Sequence, residues 1–211
     1  LKAIKKVEAI VKMNSKKINN SVNTGYLELY IGPMWSGKTS ELVKLHKQYT
    51  YCDIPVLAIN YKHDKRYTDD KISTHDLTNI PCVSGVELSD ISDVVNDELS
   101  EVFKDAQIIL INEGQFFKDI VVWVKCAVEV YRKRIYICGL DGDYKREMFG
   151  DWLSLIPFCD RVTKLHSLCG CCKDNYAIFS HRCSNEVEQE LIGTDQYVPL
   201  CRQCYNDENM T

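Results

Sequence analysis

The stretch Gly32-Pro33-Met34-Trp35-Ser36-Gly37-Lys38-Thr39 constrains this chain more than any other. It fits G-x-x-x-x-G-K-[ST], the phosphate-binding loop, whose context is a strand before it and a helix after it. Both are legible. Tyr26-Leu27-Glu28-Leu29-Tyr30-Ile31 reads as a buried strand, and the residues from Ser40 to Tyr51 have helical composition. The physics follows from that order. Glycines let the backbone wrap a polyphosphate, amide N–H groups point inward, and the helix N-terminus adds positive potential. Lys38 would reach the terminal phosphates, and Thr39 would hold Mg²⁺ through its hydroxyl. The loop alone implies a nucleoside triphosphate and leaves the reaction open.

The remaining pattern points to α/β architecture. Val56-Leu57-Ala58-Ile59-Asn60 is a second apolar strand. Gln107-Ile108-Ile109-Leu110-Ile111 is the strongest strand in the chain, a run of the kind buried on both faces of a parallel sheet. Residues 134–139 make another, and helices are expected over 88–99 and 120–131. Alternating strands and helices behind the P-loop predict an α/β fold, a doubly wound parallel sheet with helices on both faces. The polar stretch 61–76 shows no apolar periodicity and reads as a long loop, a class that tends to be functional. Residues 1–24, rich in Lys, Asn and Ser, read as a mobile tail. The expected division is tail 1–24, nucleotide-binding domain 25–166, a small metal-binding domain 167–205 and a C-terminal tail 206–211.

Polar residues at the carboxyl ends of strands face the ligand in open α/β sheets. Here the 107–111 strand runs into Asn112-Glu113-Gly114-Gln115-Phe116-Phe117. Asn112 stands where such proteins commonly place a metal-organising Asp, and Glu113 is the carboxylate at the strand tip. Glu113 could deprotonate an acceptor hydroxyl or polarise a water. Asp141 is expected to bind a backbone group at a strand-to-loop turn, and His75 and Asp76 to fix the long loop.

Eleven cysteines are many for 211 residues. Cys52, Cys82, Cys126, Cys138 and Cys159 sit in or beside apolar runs and read as buried thiols. The other six follow residue 168. Among them Cys169-x-x-Cys172 and Cys201-x-x-Cys204 are separated by 28 residues, the pattern of a closed Cys₄ zinc site. Cys171 could replace Cys172, though the spacing favours the latter. Lysines interrupt the N-terminal apolar residues too often for a signal segment, so a reducing, cytoplasmic setting is expected, where clustered cysteines bind metal rather than pair. No run of about 18 apolar residues exists to span a membrane. The net charge of −4 argues against a broad nucleic-acid surface.

Taken with Asp64-Lys65-Arg66-Tyr67, Thr74-His75-Asp76, Leu140-Asp141-Gly142-Asp143-Tyr144 and Phe149-Gly150, these pieces resemble the zinc-containing, tetrameric type of thymidine kinase found in cells and large DNA viruses. The resemblance runs from about Gly25 to Tyr205. It implies transfer of the γ-phosphate of ATP to the 5′-hydroxyl of thymidine. It implies ATP and Mg²⁺ at residues 32–39, Asp64, Lys65, Arg66, Asn112, Glu113, Gly114 and Gln115. Glu113 matches the catalytic base, and Arg66 would stabilise the transferring phosphate. Met34, Phe116, Leu140, Tyr144 and Phe149 match a nucleoside pocket. Gln189, Glu190, Leu191, Ile192, Gly193 and Tyr197 match the lasso that folds over the base. A homotetramer and feedback by thymidine triphosphate are implied as well. The chain departs from the pattern at Asn112, at Trp35 and Tyr144, where Phe is usual or common, and at Gln189, where an apolar residue is usual. Two other readings stand beside this one. One is a nucleotide-binding relative weakened by Asn112. The other is a zinc-ribbon ATPase on nucleic acid, against which the acidic balance speaks.

Overall fold

The computed structural model describes residues 24–63, 70–74, 78–184, 186, 189 and 196–209. The expectations placed on the tail before residue 24, on Asp64, Lys65 and Arg66, on His75 and Asp76, and on Glu190, Leu191, Ile192 and Gly193 lie outside these residues.

Six strands form one parallel sheet. They are β1 (Tyr26–Ile31), β2 (Val56–Tyr61), β5 (Val83–Gly85), β6 (Ile108–Ile111), β7 (Arg134–Gly139) and β8 (Arg161–Lys164), in the order β5-β2-β6-β7-β1-β8. Every pairing in it is parallel. Side chains alternate between the faces. Leu27, Leu29 and Ile31, Ile109 and Ile111, and Ile135 and Ile137 fall on one side, with Trp123, Val124 and Ala127 of α3 (Ile120–Glu129). Tyr30, Ala58, Ile108, Leu110, Tyr136 and Cys138 fall on the other, with Leu42 and Val43 of α1 (Lys38–Tyr51). Both faces are therefore buried. That is why the central strands read as unbroken apolar runs, and why helices sit on both sides as expected.

Two local expectations are corrected. The segment 88–99 is not a helix. It makes a single 3₁₀ turn at Leu88–Asp90, then a tight loop closed by a bridge between Asp93 and Glu98. Its acids supply the reason. The Asp90 carboxylate accepts from the backbone N–H of Val86 (3.2 Å) and Glu87 (3.0 Å), and that of Asp93 from Val95 (3.2 Å) and Asn96 (3.0 Å). Such bonds offer the backbone an alternative to a helical ladder. Leu88, Ile91 and Val94 are nonetheless buried, so their periodicity reported burial and not helix. Helix starts only after Ser100, whose hydroxyl accepts from Phe103 N–H and caps α2 (Glu101–Asp105). The second correction concerns 61–76. Its end is ordered as β3 (Lys71–Ser73), antiparallel to β4 (Asn79–Pro81), with Ile72 opposite Ile80 and both buried against the α1 face.

A small lobe follows β8. It holds β9 (Ser167–Leu168) paired with β10 (Tyr176–Ala177), β11 (Phe179–Arg182) paired with β12 (Tyr197–Leu200), and α4 (Arg202–Asn209). Its core is Cys169, Leu200, Cys201 and Tyr205. No helix among the described residues is long and apolar enough to cross a membrane.

Candidate active site

The phosphate-binding loop leaves β1 through Gly32 (φ 148°), where an added Cβ would lie 2.4 Å from the Leu165 carbonyl oxygen. It enters α1 through Gly37 (φ 84°), where the space for a Cβ is open. Trp35 also has positive φ (63°) and is 47% exposed; a left-handed non-glycine residue costs of the order of 1–3 kcal/mol and collects at functional loops. Lys38 is buried, its ammonium donating to the Pro33 carbonyl (2.6 Å) and the Ser36 hydroxyl (3.4 Å). The Thr39 hydroxyl donates to Asn112 Oδ1 across 3.4 Å. Asn112 is fixed in that orientation: its Nδ2 donates to Asn60 Oδ1 (2.9 Å), and the Cys138 thiol donates to its Oδ1 (3.0 Å). Two oxygen donors, one on the helix start and one on the strand end, are a fit for a hard divalent cation.

Glu113 follows immediately, in the left-handed region at φ 55°, ψ 47°. That conformation turns the chain sharply off β6 and leaves the acid 9% exposed at the sheet edge. Gln115 ties it down. Gln115 Nε2 donates to Glu113 Oε2 (2.7 Å), and its Oε1 accepts from Leu140 N–H (3.0 Å) just beyond β7. The fit around Gln115 is close: a Cβ on Gly139 would sit 2.6 Å from its Oε1, and one on Gly150 (φ 68°) 2.3 Å from its carbonyl oxygen.

One cleft joins these parts, with an empty volume of about 950 Å³, some of it open solvent. Residues 34–40 and Glu113 line it together with Gln115, Phe116, Leu140, Tyr144, Phe149, Gln189 and Tyr197. Phe116 is stacked on Tyr61 (4.9 Å) and meets Phe149 edge-on (5.3 Å), giving a rigid aromatic wall. All the described residues expected at the nucleoside end line this cleft, as do Lys38 and Thr39 from the phosphate end.

Sequence reasoning missed several lining groups. Ser180, on β11, accepts from Met34 N–H (3.0 Å) and so joins the small lobe to the phosphate loop. Asp143 is buried; its Oδ1 accepts from Lys145 and Glu147 N–H (2.8 and 2.9 Å) and its Oδ2 from Gln189 Nε2 (2.8 Å). Arg182 does not itself line the cleft but is buried behind it, beside Tyr144. A cation in a short polar strand carries no local signal of burial. Asp141, expected on a backbone group, instead pairs with Lys164 at 2.6 Å.

In the small lobe the Sγ atoms of Cys169, Cys172, Cys201 and Cys204 all lie within 4.8 Å of one another. Four thiolates at about 2.3 Å from one tetrahedral ion would be roughly 3.8 Å apart, so the group is of the size to close on a metal. Cys201 N–H donates to Cys169 Sγ (3.3 Å) and Cys204 N–H to Cys201 Sγ (3.5 Å), the backbone knuckles that make thiolates comfortable. Burial pushes the Cys169 thiol up, yet N–H donors from Cys201, Cys172 and Cys171 outweigh it and hold the group at about 6. N–H groups of Asn175 and Asp174 lower Cys172 likewise. Cys171 and Cys183 are exposed and stand outside this group.

A strand that ends in a phosphate-binding loop and feeds directly into a helix, at the carboxyl edge of a parallel sheet, makes this a P-loop nucleotide-binding protein. The buried acid beside that loop suits it to phosphoryl transfer. A family model described as thymidine kinase matches residues 25–205, and the chain belongs to that family. The thymidine kinase of sheeppox virus (strain KS-1) is 39% identical over 183 residues, covering 86% of this chain and 97% of that protein. That of vaccinia virus (strain Western Reserve) is 35% identical over 187 residues, covering 88% and 99%. A plant relative, the thymidine kinase of Oryza sativa subsp. japonica, is 38% identical over 185 residues, covering 87% of this chain and 67% of its own length.

Proposed function

We propose that this chain transfers the γ-phosphate of ATP to the 5′-hydroxyl of thymidine, yielding thymidine monophosphate. The observation that carries the reading is the shared cleft: residues 34–40 of the phosphate loop, Glu113, and Phe116, Leu140, Tyr144 and Phe149 all line it. In this reading the loop amides and Lys38 bind the ATP phosphates, and Glu113 takes the proton of the sugar hydroxyl as it attacks. Gln115 holds Glu113 in register for that task. Arg66 stabilises the charge on the transferring group. Thr39, with Asn112 behind it, would hold Mg²⁺, which would supply charge neutralisation on the phosphates. Asn112 turns its amide oxygen to Thr39, so an acceptor remains where the family has a carboxylate, which speaks against a metal site lost outright.

Zn²⁺ on Cys169, Cys172, Cys201 and Cys204 is structural, since four thiolates leave no open coordination position. Lasso residues Gln189, Glu190, Leu191, Ile192, Gly193 and Tyr197 cover the base. A homotetramer in the cytoplasm, subject to feedback by thymidine triphosphate, completes the reading; no nucleic-acid or membrane partner is part of it. The test is direct: labelled thymidine, ATP and Mg²⁺ with pure protein. Phosphorylated thymidine is expected, and its absence at high enzyme concentration would overturn the assignment.

A further inference from the structure

Arg182 is the last residue of β11 and is 5% exposed. Burying a guanidinium is costly unless its donors are satisfied. Here the partners are unusual in kind. Nε donates to the Tyr197 hydroxyl (3.2 Å), and Nη2 reaches the same oxygen. Nη1 donates to the Glu186 carbonyl (3.0 Å) and Nη2 to the Gln189 carbonyl (3.1 Å). The plane of the group lies over the Tyr144 ring, its Cζ 3.9 Å from the centroid, and 5.2 Å from that of Tyr197. A second tie runs alongside. Gln189 Nε2 donates to Asp143 Oδ2 (2.8 Å), and Asp143 Oδ1 braces the turn after Tyr144.

Three of these partners, Tyr144, Tyr197 and Gln189, line the cleft. Each comes from a different segment of chain. Tyr197 stands directly opposite Arg182 in the β11–β12 pair, whereas the turn carrying Asp143 and Tyr144 follows β7 and shares no sheet with them. A planar fork with fixed donors can stack on one ring while bonding a hydroxyl and two carbonyls in other directions; an ammonium cannot stack in that way.

We infer that Arg182 is the positioning residue of the nucleoside end, holding the Tyr144 and Tyr197 walls and the Gln189 backbone in one arrangement. This rests on the reading that the cleft binds a nucleoside. Walls fixed before binding contribute to substrate affinity in the ground and transition states alike, so their loss raises KM more than it lowers kcat. The ATP end, framed by α1 and β6, is held by other bonds.

The experiment uses the full chain and its Arg182→Met, Arg182→Lys and Tyr197→Phe variants, with KM measured separately for thymidine and for ATP. In Arg182→Met, thymidine KM is expected to rise at least tenfold, with ATP KM within twofold and kcat within threefold. Arg182→Lys keeps the charge and loses the fork, and is expected to recover less than half of that loss. Should Arg182→Met fail to fold, Tyr197→Phe, which removes one hydroxyl and leaves the arginine, carries the test, with a threefold or greater rise in thymidine KM alone. An unmoved thymidine KM in the folded variant, full recovery by Arg182→Lys, or equal damage to both KM values overturns the inference. A wild-type chain without thymidine-dependent turnover instead sinks the nucleoside-kinase reading, and this inference with it.

Discussion

Glu113→Gln isolates the proposed chemistry from the fold. The side chain is nearly isosteric, and its amide oxygen can still accept from Gln115 Nε2, which now donates to Glu113 Oε2 at 2.7 Å. The left-handed backbone at φ 55° is as demanding for Gln as for Glu, so strain is equal in the two proteins. What disappears is the ability to take a proton. General-base catalysis is worth about 10²–10⁴ in rate, or roughly 2.7–5.4 kcal/mol at about 1.36 kcal/mol per decade. Thymidine kcat should therefore fall by about 10²–10⁴ with both KM values little changed. Glu113 is buried, so the melting temperature of the variant is measured beside its rate to show that the fold is intact. Product formation from labelled thymidine at saturating ATP reads the rate, and calorimetry reads ATP binding. A folded Glu113→Gln protein within fivefold of wild-type kcat would refute the base assignment. A change confined to the Mg²⁺ dependence would move the acid to the metal instead.

Three other perturbations test neighbouring parts. Asn112→Asp sets a carboxylate oxygen against Asn60 Oδ1 in a site 3% exposed, so Asn60 must rotate its amide. A loss of about 1–3 kcal/mol in thermal or urea unfolding is expected, together with a lower Mg²⁺ concentration at half-maximal rate. Gly150→Ala forces a Cβ to within 2.3 Å of the Gln115 carbonyl at φ 68°; a melting-temperature loss and a fall in kcat are both expected, because Gln115 carries Glu113. Stripping the metal with a strong chelator should make the 167–205 lobe protease-sensitive and lower the melting temperature, with recovery on adding Zn²⁺. Among the described residues the lobe's own apolar cluster holds four buried residues, a small core, whereas a structural zinc is worth about 10–16 kcal/mol in small peptides.

The parts of this fold that were legible beforehand are those whose cause is local. β1, β2, β6 and β7 are buried on both faces, and that requirement writes itself as continuous apolar residues. The phosphate loop is legible because its parts meet within eight residues: Gly32 and Gly37 take positive φ, and Lys38 bonds back to Pro33 and Ser36. The 88–99 segment misled because apolar spacing and helix are separable: Asp90 and Asp93 bond the backbone while Leu88, Ile91 and Val94 still reach the core. β8 was overlooked since it is an edge strand with Arg161 and Val162 exposed, and shows no apolar alternation. Ser180, Asp143 and Arg182 were overlooked for a different reason. Their partners lie far off in sequence, at Met34, Gln189 and Tyr144, and no local pattern encodes a meeting of that kind.

Those distant meetings explain why a metal site belongs in the same molecule as the phosphate loop. In β11 the residues Ser180 and Arg182 are buried while Phe179 and His181 are half-buried, so both project from one face of the strand. From that face Ser180 accepts from the phosphate loop at Met34, and Arg182 lies over Tyr144, which also lines the cleft. In the proposed reading the strand would be a ruler between the phosphate loop and the nucleoside wall. Its own position depends on β12, which leads into Cys201, and on β10 just before it, whose Tyr176 and Ala177 stand opposite Leu168 and Ser167, next to Cys169. A two-stranded ribbon is marginal in water by itself. A metal pinning Cys169 and Cys172 to Cys201 and Cys204 would close the chain around that ribbon, and the rigidity so gained would be delivered at residues 180 and 182, which meet the phosphate loop and Tyr144.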